Sequence, residues 1–405
     1  MKKVILSTLA AATLLAGYTA APVKAEAGVD TVKVNLKAVS TFKDVKGHWA
    51  ENVIARALEL KLITGYEDGT FKPNGQITRS EFASILSRAT KLAASAGDNP
   101  FTDMKGHWAE AAVTQLTAQG FIKPGDYPNG FKPNSQLTRY EMMKWIANGL
   151  IASNETFKQA FEDTQNTLIP APEAIRGEIS AEKIPYIALV RGTGIAGGFE
   201  DGTIKLQNTT TRAEVAAILL RYMDVEGKSA DAYRDLNELR EVGTTGTNVI
   251  TLAGYKYNQG SFADIVNTPI TLSNKSARLK VKHYIVVDAR AGTLKGVYSS
   301  LFYPKIEDYQ RGQFIAYAEL DFTSLIDKPS ALTYSQGLKT LLITFYRIAD
   351  KNYVDSVGIE TFPQSTANYF KKNETKTLWT TGFLDTKGKF SIRNDNGGIA
   401  SFQKD

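Results

Sequence analysis

Three arginines stand in one four-residue frame: Thr78-Arg79-Ser80-Glu81, Thr138-Arg139-Tyr140-Glu141 and Thr211-Arg212-Ala213-Glu214. Each frame precedes an apolar run. Thr followed three residues later by Glu is the signature of a capping box, in which the two side chains satisfy orphan backbone donors at a helix start. The arginine is out of place there. It falls at the first helical position, where the macrodipole is positive and a cation costs roughly 0.3–1 kcal/mol. Anion binding would make use of it, because free N–H groups, the dipole and a guanidinium fork would converge on a carboxylate or phosphate. One copy could equally lay its arginine over a neighbouring helix beside a surface acid. Three copies at the same unfavourable position point to a ligand.

The elements that must position these arginines repeat as well. Phe82, Ile85, Leu86 and Ala89 correspond to Met142, Trp145, Ile146 and Gly149, and to Val215, Ile218, Leu219 and Tyr222. This i, i+3, i+4, i+7 spacing is one stripe of an amphipathic helix, and the obvious partners for each stripe are the other two copies. Upstream, Phe42-Lys43-Asp44-Val45-Lys46-Gly47-His48-Trp49-Ala50-Glu51 is matched by Phe101-Thr102-Asp103-Met104-Lys105-Gly106-His107-Trp108-Ala109-Glu110. Between the two motifs, Gly65-Tyr66-Glu67-Asp68-Gly69-Thr70-Phe71-Lys72 is echoed around Gly130-Phe131-Lys132 and from Gly198 to Lys205. The unit is therefore helix, glycine-rich turn, helix, and stacking of neighbouring units supplies its core. Copy three starts from Phe161-Glu162-Asp163, lacks the Gly-His-Trp and carries an insertion around Pro170-Ala171-Pro172, which places its first helix near Ala181. His48 and His107 read as packing or capping residues rather than metal ligands, and Trp49 and Trp108 as plugs at the base of their repeats.

These motifs resemble S-layer homology repeats, the cell-wall-binding modules of bacterial surface proteins, over roughly residues 40–225. The resemblance implies a pseudo-threefold all-α bundle with one helix from each repeat at the centre and binding grooves between repeats. It also implies non-covalent binding of secondary cell-wall polysaccharide, in many members through a pyruvate ketal on N-acetylmannosamine. Carried onto this chain, it makes Arg79, Arg139 and Arg212 the anion contacts and Asp44, Asp103 and Asp163 sugar-hydroxyl acceptors. Gly65 and Gly198 would let backbone approach the ligand. Copy two has Lys123-Pro124-Gly125-Asp126-Tyr127 where the others have a Gly-aromatic pair, so its groove should differ.

Residues 1–25 read as a secretory signal peptide: Lys2 and Lys3, an apolar stretch from Val4 to Gly17, and Val23-Lys24-Ala25 before Glu26. No other segment approaches the ~18 apolar residues of a membrane span. The absence of cysteine removes disulfides and thiolate chemistry. Although the chain carries a net charge of +6, basic and acidic residues balance from Glu26 to Tyr222. The clustered basic face of a nucleic-acid binder is missing. Anion recognition should therefore be local.

The repeats are expected at 40–95, 99–155 and 159–225, followed by a mainly β domain, a sandwich or barrel, over 235–405. Strand-like segments there are Val249 to Leu252, Arg278 to Val287, Gln313 to Phe322 and Leu341 to Ile348. His283, alone in this half, lies mid-strand and reads as a strand residue rather than a base. Asp288 and Glu319 are candidate carboxylates for glycoside hydrolysis, but nothing in the pattern singles out that pair. No catalytic residue, metal site or cofactor is assigned. The favoured reading is a non-catalytic surface protein anchored to wall polysaccharide, displaying its β domain and able to contact other S-layer subunits. The alternative is a wall-tethered glycan or peptidoglycan hydrolase.

Overall fold

A computed structural model describes residues 42–94, 97–302, 312–327, 329–348 and 351–405. The expected signal peptide lies outside the described residues. The repeats form three helix pairs: α1 (Glu51–Glu59) with α2 (Arg79–Ala89), α3 (Glu110–Ala118) with α4 (Arg139–Ser153), then, after α5 (Glu155–Asp163) and the short α6 (Pro172–Ile175), α7 (Ile184–Gly192) with α8 (Arg212–Val225). All three second helices begin with a complete capping box, Thr78/Glu81, Thr138/Glu141 and Thr211/Glu214. The first helices of copies one and two are nucleated differently. The His48 and His107 rings accept the N–H groups of Ala50 and Ala109 at 3.2 Å, and the Glu51 and Glu110 carboxylates reach back to the N–H groups of Gly47 and Gly106. Copy three lacks these residues and opens instead through a 3-10 turn, Ala181–Lys183, with Pro185 in the first helical turn.

A closed ring of backbone hydrogen bonds joins the three copies. Ile77 donates to the Thr210 carbonyl at 3.1 Å, Thr210 to that of Leu137 at 3.2 Å, and Leu137 to that of Ile77 at 2.9 Å. Each repeat gives one bond and takes one, which makes the arrangement pseudo-threefold. Around the ring α2 packs on α3, α4 on α7 and α8 on α1, so the apolar stripes bury against neighbouring copies. Trp49 and Trp108 do not plug the repeats: they are 45% and 64% exposed, each tilted against its neighbouring histidine.

The segment expected to be β-rich from residue 235 opens with a helix. α9 (Arg234–Thr245) buries Leu236, Leu239 and Val242 against α5 and α7, and ends at Gly246 in a left-handed conformation. Beyond it, β2 (Pro269–Thr271), β3 (Ala277–Asp288), β4 (Phe314–Ser324) and β5 (Thr375–Leu384) form one antiparallel sheet in that order. β1 (Lys256–Gly260), β7 (Ile399–Lys404) and β6 (Gly388–Arg393) form a second. Two short helices, α10 (Ala331–Gly337) and α11 (Lys351–Val357), lie between β4 and β5. The sheets share an apolar cluster that includes Leu279, Val281, Phe322, Ile392 and Phe402; they do not close into a barrel.

Two expected strands are absent. Residues 249–253 form a turn, pinned by the Glu241 carboxylate accepting from Ile250 and Thr251, and 341–348 meets β5 through an isolated bridge from Tyr346 to Thr381 and the Thr344 hydroxyl donating to the Thr381 carbonyl, without a ladder. The β-rich half is not a separate body. Ile285, Val287, Ile315, Tyr317 and Trp379 belong to the same apolar cluster as the helices, while Val286, Ala316 and Ala318 face the other sheet. β3 and β4 are therefore covered on both faces at this end, which explains their near-continuous apolar sequence.

Candidate functional site

The helix starts are not free to receive an anion. The first two helical N–H groups of each copy bond to carbonyls of another repeat: Arg79 and Ser80 to Ser135 and Pro133, Arg139 and Tyr140 to Asn208 and Leu206, Arg212 and Ala213 to Gly75 and Pro73. The third is taken by the capping threonine. The expectation that several free N–H groups surround a ligand is thereby corrected, and what remains is the guanidinium.

Each guanidinium crosses into the turn of the next repeat around the ring. Arg79 donates to the Phe131 carbonyl at 2.8 Å, Arg139 to that of Ile204 at 3.0 Å and Arg212 to that of Phe71 at 2.9 Å. Each also lies over an aromatic ring of that turn, 5.0 Å from Tyr127, 4.7 Å from Phe199 and 4.7 Å from Tyr66. They differ in their remaining partners. Arg79 meets Glu141 at 2.7 Å, and Arg139 meets Glu214 at 3.3 Å and the Gly197 carbonyl at 3.3 Å. Arg212 donates to the Thr64 carbonyl at 2.7 Å and has no ion pair among the described residues.

Asp44 and Asp103 hold these turns in place. Asp44 accepts from the Phe71 and Lys72 N–H groups at 3.0 and 2.7 Å, and Asp103 from those of Phe131 and Lys132 at the same distances. Burial pushes the Asp44 carboxyl up, but those backbone donors hold it below the usual carboxylate range. In copy three this work falls to Glu173, which accepts from Ile204 and Lys205 at 2.8 and 3.0 Å. Asp163 is elsewhere: it ends α5 and pairs with Arg240 at 2.8 Å, as part of the packing of α9. Spacing could have found Glu173. The acid precedes the first N–H donor of its turn by 27 and 28 residues in the first two copies and by 31 from Glu173 to Ile204.

The glycines also have a different reason. A Cβ at Gly65 would lie 1.9 Å from the Phe42 ring, and one at Gly198 would lie 2.8 Å from the Thr203 carbonyl and 3.1 Å from Arg191. Both are required by close packing within the repeat.

One groove is open and lined by all three copies. Thr64, Tyr66, Ser84 and Arg88 of the first repeat, Trp108 of the second and Arg212 of the third surround a cavity of about 340 Å³. Glu81 also lines it, with its carboxylate engaged by Thr78. Arg88 was not anticipated. It follows the motif arginine by nine residues, as Arg221 follows Arg212, and both donate to a carbonyl of the preceding helix–turn junction, Leu62 and Ile195. Copy two has Asn148 at that position, donating to Phe121.

The second groove is filled from within. Lys144 pairs with Asp126 at 2.6 Å and lies over Tyr186, Trp145 donates to the Tyr127 hydroxyl at 2.9 Å, and Glu141 occupies the motif arginine. The third turn abuts the β-rich half: Arg191 beneath it donates to the Ser300 hydroxyl at 3.2 Å, and Gly202 faces the Ser300 carbonyl.

In the β-rich half His283 contacts Glu319 at 2.6 Å, and Lys282 does so at 3.3 Å. Burial pushes the Glu319 carboxyl up, but these partners hold it below its ordinary value. Asp288 pairs with Arg290. The register sets His283 opposite Glu319 and Asp288 opposite Phe314, so the two carboxylates are five residues apart along the ladder, roughly 16 Å. That exceeds the separation either glycosidase mechanism uses. Among the described residues no group of three His, Cys, Asp or Glu is placed to hold a metal ion, and no helix is long and apolar enough to cross a membrane.

The S-layer homology domain family matches residues 41–83, 100–143 and 177–216. The chain is 35% identical over 130 residues to a cellulosome-anchoring protein of Acetivibrio thermocellus, covering 30% of this chain and 29% of that protein. It is 26% identical over 342 residues to an uncharacterized cell wall amidase of Bacillus anthracis, covering 81% of this chain and 60% of the other. An S-layer protein of Bacillus licheniformis is 26% identical over 273 residues, or 65% of this chain and 27% of that protein. The chain thus spans 60% or less of the length of these relatives. The three copies, closed by their backbone ring and each opened by a capped Thr-Arg-x-Glu helix, are S-layer homology domains.

Proposed function

We propose that the three domains hold an exported protein at the cell surface by binding secondary cell-wall polysaccharide without a covalent link. The ligand end is an anionic sugar, a pyruvate ketal on N-acetylmannosamine, seated in the groove between Arg212, Tyr66, Arg88 and Trp108. One observation carries the choice of groove: Arg212 is the motif arginine that makes no ion pair among the described residues, and it lines an open cavity beside an exposed tryptophan. A guanidinium aimed into such a groove favours a planar carboxylate, and an exposed indole offers an apolar face to a sugar ring. The anchoring and S-layer relatives support the same reading.

The test is co-sedimentation of the full chain with purified wall polysaccharide before and after mild acid removal of ketal-linked pyruvate. Binding lost with the pyruvate, and weakened by Arg212→Ala more than by Arg79→Ala, supports the assignment. Binding indifferent to both would remove it.

A second reading has one observation in its favour. The match to the cell wall amidase covers too much of this chain to stop at the repeats, so it runs into the β-rich half. Release of soluble fragments from peptidoglycan by the full chain would establish a wall hydrolase; intact peptidoglycan after long incubation would leave the β-rich half as a displayed, S-layer-associated component.

A further inference from the structure

Along one side of the β-rich half the two sheets are joined only at one end, where the Asp395 N–H, just beyond β6, bonds to the Pro269 carbonyl of β2 at 2.9 Å. There the four-stranded sheet ends at β2 and the three-stranded sheet at β6, and residues 337–343 form the third wall of a cleft of about 350 Å³. Its walls combine Ile270, Leu279, Leu338, Ile343 and Ile392, which belong to the apolar cluster between the sheets, with the polar Thr271, Ser273, Thr340, Ser391 and Asn394. Two cations also line it, Lys339 and Arg393, both exposed and neither in an ion pair among the described residues. No lining residue is acidic. The neighbouring Asp395 carboxylate is already engaged by the Thr271 N–H and hydroxyl.

We infer that this cleft binds a single aliphatic chain ending in a carboxylate. The Ile and Leu side of the cleft rewards burial of a hydrocarbon tail in proportion to the area removed from water. Two cations at the lining, unpaired among the described residues, complement an anionic head, with no acidic lining residue to compete with it. The inference rests on β2, β6 and the 337–343 wall, and is independent of how the repeats recognise glycan.

The experiment is titration calorimetry of the full chain with dodecanoate below its micelle concentration, beside dodecyl maltoside, which has the same tail on a neutral head. Saturable 1:1 binding of dodecanoate is expected, weaker by about tenfold or more for the neutral amphiphile. The Lys339→Glu/Arg393→Glu pair should remove that preference, and Leu338→Trp should abolish binding by filling the slot while thermal unfolding reports that the variants remain folded. Absence of saturable dodecanoate binding to the wild type overturns the proposal. So does equal affinity for both amphiphiles, or binding unchanged in Leu338→Trp.

Discussion

The turns of the first and third repeats are built alike and placed in opposite surroundings. In both, an aromatic N–H closes the turn on a threonine carbonyl, an aspartate side chain accepts from the same threonine, and a lysine adopts a left-handed conformation at φ of +55° or +53°. In both, an arginine from the preceding repeat in the ring lies over the aromatic. Around the first turn the groove is open, and Arg212 makes no ion pair among the described residues, since the equivalent acid, Glu81, lines the groove but is engaged by Thr78. At the third, Arg139 spends its donors on Ile204, Gly197 and Glu214, and the β-rich half closes against the outer side of the turn. The same motif is a staple where its surroundings satisfy the guanidinium, and on the function proposed above it becomes a binding element where they leave it facing an open groove.

The sharpest way to break that contrast is Arg139→Ala. It should destabilise the protein by roughly 3–5 kcal/mol, because it removes the donor to Glu214 Oε1 and to two carbonyls, and it should leave polysaccharide affinity of the folded fraction unchanged; chemical denaturation and co-sedimentation measure the two. A ligand-binding defect equal to that of Arg212→Ala would erase the distinction.

The dock beside the third turn should carry a pH dependence that the first repeat lacks. Burial pushes the Glu238 carboxyl up to about 7, and its acceptor bonds to Asn248 and the Val297 N–H offset this only partly. Arg234 stands 3.5 Å away but is itself exposed. The folded state therefore keeps this proton where the unfolded chain has released it. Stability should fall as pH rises from about 4.5 to about 7, by roughly 3 kcal/mol from this group. Glu319, held low, acts in the opposite sense on acidification. Glu238→Gln should flatten the slope of unfolding free energy over that window; an unaltered slope would show that the carboxylate is already ionised in the fold.

Arg212→Ala should weaken polysaccharide binding by about tenfold or more, at some cost in stability from the lost bonds to Phe71 and Thr64. Trp108→Ala should cost about 1 kcal/mol of binding with no change in melting temperature, since the ring is largely exposed, and Trp49→Ala should cost less. Smallest of all, Asp126→Ala should change binding by less than about 0.5 kcal/mol, if the second groove is indeed idle.

Much of the helical half was legible because its signals are local. The capping boxes fix three helix starts from four residues each, and the apolar stripes fix which faces meet. The start of α7 near Ala181 could be placed from the insertion alone. Asp163 matches Asp44 and Asp103 in its distance from the front of the repeat, whereas the acid's function is defined by the N–H groups it must reach, and Glu173 reaches them. In the β-rich half, β3 and β4 show in their apolar runs, but β5 was missed although Thr377, Trp379, Thr380 and Thr381 favour strands. Val249 to Leu252 looked like a strand and is a turn, because the Glu241 carboxylate supplies the hydrogen bonds a sheet would have given.

By itself, the sequence determined the threefold repetition, the capped helices and the presence of an arginine at each of their starts, because capping and amphipathic periodicity are written in residues a few positions apart. Which guanidinium stays available was decided only by tertiary structure. That depends on whether the capping-box glutamate of the next repeat comes to lie beside it, as Glu141 does for Arg79 and Glu214 for Arg139. Such contacts join residues separated by up to the length of the domain, and no local spacing encodes them.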